Sequence, residues 1–318
     1  MDKLLRKLLS PVAVSGRETA ASDLLAELAA PYGDVSRDRM GNLVLHKKGT
    51  GKRVMVAAHM DSIGLMVNYV DDKGFARFAN LGGMQLVPML GQRVRFENGT
   101  VGVICAERGV DLRDLKPEHL YLDTAGEPVE IGDTAAYCAE PVFVGKKVIS
   151  PYLDNRLGCA VCLRALELLR QTNNELFFVF TVQEEVGCRG VKPAAYAIQP
   201  ELALAVDICG VPDTPGEKKQ NALTLDGGPV VKLMDWWHIS HPSVVSLLEQ
   251  TAEALDIQTQ RLVAERGGTD ASAITESRSG VPAGCLAIPI RYTHCPNELG
   301  NLEVAEACAK LLAEAVCR

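Results

Sequence analysis

The feature that most constrains how this chain folds is a run of seven residues, Leu176–Val182, each of them apolar or β-branched. Such a run, with no polar alternation, predicts a strand covered on both faces rather than one lying at a solvated surface. It leads through Gln183 into two carboxylates, Glu184 and Glu185, before Gly187 breaks the chain. Charge at the end of a buried strand is costly unless something compensates it. A solvated strand end would do so. A cation would do so too, because successive residues leaving a strand point in opposite directions. One carboxylate can then hold a metal while its neighbour stays free to move protons. The choice between the two turns on whether the pattern recurs.

Composition sets the outer bounds. A chain of 318 residues allows one large domain or two. The hydrophobic fraction of 47% and the charged fraction of 23% are those of a soluble globular protein. A net charge of −7 argues against a nucleic-acid surface, and 5% aromatic residues leave no stacking platform for bases or sugars. The N-terminal stretch carries basic residues and leucines. It lacks the apolar run of about 7–15 residues and the cleavage site of a secretion signal. No segment reaches the roughly 18 apolar residues that span a bilayer. The expectation is a cytoplasmic protein that engages neither membrane nor nucleic acid. Its ten cysteines are read as reduced core residues, Cys159 and Cys162 included, since that C-x-x-C lies in a helical pattern with no second pair nearby.

Read in order, residues 2–9 and 17–30 predict amphipathic helices, with Ser15-Gly16-Arg17-Glu18 at capping-box spacing. Short strands follow at 35–39 and 42–47, then a buried strand, Val54–Ala58, which ends in His59-Met60-Asp61. From 65 to 147 short strands alternate with glycine turns, and Asn98-Gly99 predicts a hairpin. That span is read as a small all-β domain, inserted between the two parts of a catalytic domain, 1–64 and 148–318. It holds none of the residues suited to chemistry, so assembly or gating is its expected task. Helices are predicted over 156–170, near 192–197, over 243–255, from Thr269-Asp270 through Thr275, and over 303–316. Strands are predicted at 176–182, 202–206 and 284–291, with a loop over 210–229. The alternation implies an α/β fold, with a mostly parallel central sheet and helices on both faces.

The polar pattern does recur. His59, Glu184-Glu185, Asp207 and His294 each follow an apolar strand, and Asp154 precedes a helix. In open α/β sheets ligands bind beyond the carboxyl ends of the strands. Two imidazoles and three or four carboxylates gathered there suit zinc, cobalt or manganese. With one carboxylate shared, they suffice for two ions roughly 3.5–4 Å apart. No Ser-His-Asp elbow, P-loop or G-x-G-x-x-G competes. Singly, these residues have plainer readings. Asp154 could be a helix N-cap and Asp207 a turn residue. Asp270 fits a cap or the pocket wall, and Trp236-Trp237 fit the pocket floor or the core equally. His238 and His241 mimic a metal pair, but Ser240 and Pro242 suggest a helix start instead. Lys218-Lys219 reads as solvated loop charge.

Taken together, His59-Met60-Asp61-Ser62-Ile63-Gly64, Leu153-Asp154-Asn155-Arg156-Leu157-Gly158, Gln183-Glu184-Glu185-Val186-Gly187, Val206-Asp207, Gly267-Gly268-Thr269-Asp270-Ala271 and Arg291-Tyr292-Thr293-His294 resemble, in this order, the glutamyl or tetrahedral (TET) aminopeptidase family of dinuclear metallopeptidases. The resemblance runs over nearly the whole chain. It implies an aminopeptidase acting on peptides with a free N-terminus, two divalent ions per subunit, zinc or cobalt before manganese, and a homo-oligomer of dimers built up to a dodecamer. It implies that His59 and Asp207 hold one ion, Glu185 and His294 the other, and that Asp154 bridges them. Glu184 is then the general base, and Asp61 the carboxylate that orients His59. A related deacylase or carboxypeptidase, an endoglucanase-like enzyme and an inactive scaffold are the alternatives. Ser62 stands where the family carries an acidic residue, and Cys295 stands in place of serine, which would expose the site to oxidation. The insert is short near 108–131.

Overall fold

The structure is a computed structural model and describes residues 1–216 and 222–318. The Lys218-Lys219 pair lies outside the described residues. The chain opens with helices α1 (Asp2–Leu8) and α2 (Thr19–Ala29). A hairpin, β1 (Asp34–Arg37) and β2 (Leu43–Lys47), precedes β3 (Arg53–His59). Six strands then close into a barrel: β4 (Gly64–Val70), β5 (Ala76–Leu81), β6 (Arg93–Phe96), β7 (Val101–Ala106), β8 (Leu120–Asp123) and β9 (Thr134–Tyr137). A short helix, α3 (Leu86–Met89), lies within this span. The β6–β7 hairpin turns at Asn98-Gly99, where Gly99 has φ +93°, the conformation that only glycine adopts without cost. Inward residues such as Leu65, Val67, Phe78, Val94, Phe96, Ile104 and Leu122 fill the barrel.

The chain returns to the large sheet through β10 (Val142–Val144) and β11 (Lys147–Ser150). Then follow α4 (Leu153–Leu168), β12 (Glu175–Thr181), α5 (Val191–Ile198) and β13 (Leu202–Gly210). The last part holds β14 (Val230–Met234), α6 (Pro242–Ala254), β15 (Gln260–Val263), α7 (Asp270–Thr275), β16 (Ala283–Arg291), β17 (Glu298–Asn301) and α8 (Leu302–Ala315). The sheet is mixed, which corrects the mostly parallel sheet expected. Only β12, β3, β13 and β16 form a parallel run at its centre, and β14 and β15 form a second parallel pair. The flanking pairs β1–β2, β2–β12, β16–β17, β17–β11 and β11–β10 are antiparallel. Several are joined by turns of a few residues, and connections that short permit only antiparallel neighbours.

Successive residues of the central strands face opposite layers. Val54, Val56, Leu176, Phe178, Phe180, Leu204, Val206, Leu286 and Ile288 pack against α4 and α8. Met55, Ala57, Val179, Ala203, Ala205, Cys285 and Ala287 face α5 and α7. Burying a leucine or phenylalanine contributes roughly 1.5–3 kcal/mol. The α4/α8 side, with its larger side chains, therefore carries most of the apolar stabilisation. The smaller residues on the other side let α5 and α7 approach closely.

Candidate metal centre

The parallel run brings the predicted residues to one edge. His59 ends β3, opposite Thr181 at the end of β12. Past Thr181 the backbone turns sharply: Gln183 and Cys188 both have positive φ, 56° and 51°. The turn is what presents Glu184 and Glu185 side by side. Asp207 lies inside β13 rather than beyond it, a correction to the predicted strand end. Its carboxylate is nevertheless free to turn outward, because β13 leaves β3 after Ala205. His294 sits on the loop after β16, with φ 61°, as has Tyr292. Non-glycine residues in this region cost energy, and they gather at sites that the surrounding structure over-determines.

Asp154 stands at the centre. Its Oδ1 is 3.1 Å from His59 Nε2 and its Oδ2 is 3.2 Å from His294 Nε2. Asp207 Oδ1 lies 3.6 Å from His59 Nε2, and Glu185 Oε2 lies 3.4 Å from His294 Nε2. Asp154 does not cap α4. The backbone departs from helical geometry at Asp154 and Asn155, and it is Asn155 Oδ1 that accepts from Gly158 N at 3.1 Å, which leaves both Asp154 oxygens available. Both imidazoles are held through Nδ1. His59 Nδ1 lies 3.2 Å from the carbonyl of Asp61, and His294 Nδ1 lies 2.9 Å from that of Gly83 in the barrel segment. An Nδ1–H donated to a carbonyl leaves each Nε2 facing Asp154, as a hydrogen donor when the imidazole is charged and as a lone-pair donor to a cation when it is neutral.

Asp61 does more than face His59. Its carboxylate accepts from Glu184 N at 3.0 Å, Glu185 N at 3.3 Å and Ser15 Oγ at 2.6 Å. It thus ties down the turn that carries both glutamates. The predicted capping box of Ser15 and Glu18 does not form, and the α2 N-cap has no side-chain bond. Ser15 goes to Asp61 instead, and Glu18 accepts from Gly16 N and Gln183 N. The buried Arg156 guanidinium holds the same segment, donating to the carbonyls of Leu8 and Ala13. Ser62 bonds the Ala13 carbonyl and does not face the centre.

The charge balance is one-sided. Asp61, Asp154, Glu184, Glu185, Asp207, Asp270 and Glu298 converge here with little or no solvent contact. Burial, with Asp154 nearby, pushes Glu185 up to about 8. Burial alone also dominates at Glu184, well above its ordinary value, and at Asp270, pushed up to about 7. Burial disfavours the charged imidazoles, yet the carboxylates outweigh it, raising His59 well above 6.5 and His294 to about 10. Asp154 is held well below its ordinary range: burial opposes this, and the two imidazoles prevail. One oxygen of Glu185 is buried with no hydrogen-bond partner among the described residues. These features fit metal ions. Donor atoms around a tetrahedral ion with bonds of about 2.1 Å stand roughly 3.4 Å apart, close to the spacings observed. The two sets His59–Asp154–Asp207 and Asp154–Glu185–His294 each bring their donor atoms within 4.8 Å of one another.

Glu298 was missed in the sequence. It accepts from Asp154 N at 3.0 Å and from His294 N at 2.8 Å, fixing both backbones. Its only signal was an acidic residue four positions after His294, opening a buried strand. Asp270 does not cap α7; it accepts from Thr181 Oγ1. Trp237 is half-exposed and walls a cleft of about 650 Å³ that also contains Asp154, Glu184, Glu185 and His294. His238 bonds the Ala283 carbonyl, and His241 caps α6 by accepting from Ser243 N. Neither faces the centre. All ten cysteines are free. Burial, then Glu298, raises the Cys295 thiol, which favours its protonated form.

Fold and site together define an α/β protein with an imidazole–carboxylate centre at the carboxyl edge of its central sheet. The profile of the M42 glutamyl aminopeptidase family matches residues 41–311, and the chain belongs to that family. Its members are metal-dependent aminopeptidases. A protein of Acetivibrio thermocellus assigned by name to the aminopeptidases is 42% identical, over 100% of this chain and 98% of its own. The solved structure of an aminopeptidase from Desulfurococcus kamchatkensis superposes with a TM-score of 0.95 at 35% identity, covering 99% of this chain and 94% of that one. The TET1 peptidase of Pyrococcus horikoshii, described as assembling into a tetrahedron or a large octahedral shell, gives 0.88 at 29% identity, over 99% and 98%.

Proposed function

We propose that this chain removes the N-terminal residue of peptides with a free α-amine, using two divalent cations and Glu184 as general base. His59 and Asp207 would hold one cation, Glu185 and His294 the other, with Asp154 between them. Zinc or cobalt suits this mixed donor set, and manganese is the next fit. The observation that carries the reading is the position of Asp154, one oxygen toward each imidazole, with Glu184 Oε2 3.9 Å from His59 Nε2. The cations, when bound, supply Lewis acidity toward the scissile carbonyl and lower the pKa of the attacking water.

The rest falls to the protein. Glu184 takes a proton from the attacking water and returns it to the leaving amine nitrogen. Asp61 keeps the Glu184–Glu185 turn in register through two backbone amides. The surplus of carboxylates favours a substrate whose free α-amine carries positive charge, which supports exopeptidase action. The 65–147 insert, with its barrel, is the element we assign to assembly, into dimers and then a dodecamer. No described helix is long and apolar enough to cross a membrane, which is compatible with the cytoplasmic location proposed here.

The test compares free and N-acetylated aminoacyl-p-nitroanilides on metal-reloaded protein. Cleavage of the free-amine set alone is expected, and Glu184→Gln should lower the rate by roughly 10²–10⁴-fold while elemental analysis still finds two metals. Preferential cleavage of acetylated substrates, or a Glu184→Gln protein near wild-type activity, would overturn this reading.

A further inference from the structure

Beside the two donor sets lies a third group that the mechanism above does not use for metal. Glu184, Cys188 and Asp270 bring one carboxylate oxygen, one thiol sulfur and another carboxylate oxygen within 4.8 Å of each other. Cys188 Sγ lies 3.4 Å from Glu184 Oε1. Two ligands of a tetrahedral zinc ion, one sulfur at about 2.3 Å and one oxygen at about 2.1 Å, stand roughly 3.6 Å apart. Asp270 is 3% exposed, and its Oδ1 is buried without a partner among the described residues, while Thr181 Oγ1 fixes the other oxygen. A buried carboxylate oxygen left unpaired at such a place is costly unless a donor or cation reaches it. Entry is available from both sides: Glu184 faces the main cleft, and Cys188 lines an adjoining hollow of about 310 Å³ that shares Gly187 and Trp237 with it.

From this juxtaposition we infer that Glu184, Cys188 and Asp270 form a separate inhibitory site for a thiophilic divalent cation, zinc in excess or cadmium. Its occupation would withdraw Glu184 from proton transfer. The inhibitory consequence rests on Glu184 being the base, whereas the binding itself does not. Charge allows a third cation, because seven carboxylates can carry seven negative charges and two divalent cations supply four. The thiolate selects for soft metals, which separates this site from the imidazole–carboxylate sets. On binding, the Cys188 S–H proton leaves to solvent as the sulfur–metal bond forms, so inhibition should be stronger at higher pH.

The experiment titrates cadmium into protein already carrying two equivalents of cobalt. It follows the ultraviolet thiolate-to-cadmium charge-transfer band and the peptidase rate together. The band should rise with the third equivalent and activity should fall along the same curve. In Cys188→Ser and Cys188→Ala the band should vanish. The cadmium concentration for half-inhibition should rise at least tenfold, each measured against that variant's own uninhibited rate. Asp270→Asn should shift the midpoint the same way while keeping the band. A band that persists without Cys188, or no third equivalent bound, would overturn the site. A Cys188-dependent band with undiminished activity would keep the site, but it would overturn its inhibitory role and remove Glu184 as the base.

Discussion

The two halves of the centre share Asp154 but are built differently. His59 and Asp207 come from strands, with side chains only 2% and 9% exposed. His294 comes from a loop, is 28% exposed, and leans on the Gly83 carbonyl from the barrel segment. One half is therefore part of the sheet. The other exists only where two parts of the structure meet. A ligand set on packed strands loses little freedom on binding a cation, whereas one on a loop must be ordered first. On the function proposed above, the strand half would hold its ion permanently and the loop half would exchange its own.

The sharpest way to break this contrast is to remove each imidazole in turn. His59→Ala strips the buried carboxylates of their nearest cation partner. It should abolish activity, cost about 3–5 kcal/mol of folding stability, and leave fewer than one firmly bound metal per chain. His294→Ala should also abolish activity, but retain one metal and most of the stability. Elemental analysis with urea unfolding separates the two. Equal losses in both variants would show that the halves are not distinct.

Gly83→Ala addresses the loop half without touching a ligand. A Cβ there would sit 3.0 Å from His294 Nδ1, pushing the ring from its carbonyl acceptor. The looser metal should weaken by about 10–100-fold, as for lost supporting contacts generally. The tighter one should be unaffected, which competition with a chelator would show.

The metal-free protein should also be sensitive to pH. Glu185 is raised from 4.5 to about 8 and Asp270 from 3.8 to about 7. The folded state then binds more protons than the unfolded one across that window. Their stability contribution is fully present below about pH 4 and is lost as pH rises through 7 to 8. His294, raised from 6.5 to about 10, works in the same sense at higher pH. Thermal melts of the chelated protein should therefore fall from pH 5 to 9, while those of the metal-loaded protein hold steady. The smallest effect is expected from Ser15→Ala, which removes one charge-assisted bond to Asp61, worth roughly 1.5–3 kcal/mol. Turnover should drop several-fold with the metal count unchanged.

Much of this is legible in the sequence. The apolar strands 54–58, 176–182 and 284–291 were plain, because a run buried on both faces has no competing reading in so short a span. The ligand candidates followed, since each is a polar residue set against such a strand. Strands β14, β15 and β17 were not legible. They are only four or five residues long, and their places depend on partners far along the chain, β14 on β15 and β16, and β17 on β11. Ser15 and Glu18 misled for a related reason. Local spacing favoured a cap, and a buried carboxylate 46 residues away from Ser15 took its hydroxyl instead.

By itself, the sequence determined the layer architecture, the family and a set of candidate residues, because period and residue type are local properties. Only the tertiary structure decided the mixed character of the sheet, the place of Glu298 beneath Asp154 and His294, and which carboxylates lie within reach of Cys188. Those depend on strand order and on the splaying of β13 from β3. Such distances arise between residues far apart in the chain, and spacing along a sequence carries no record of them.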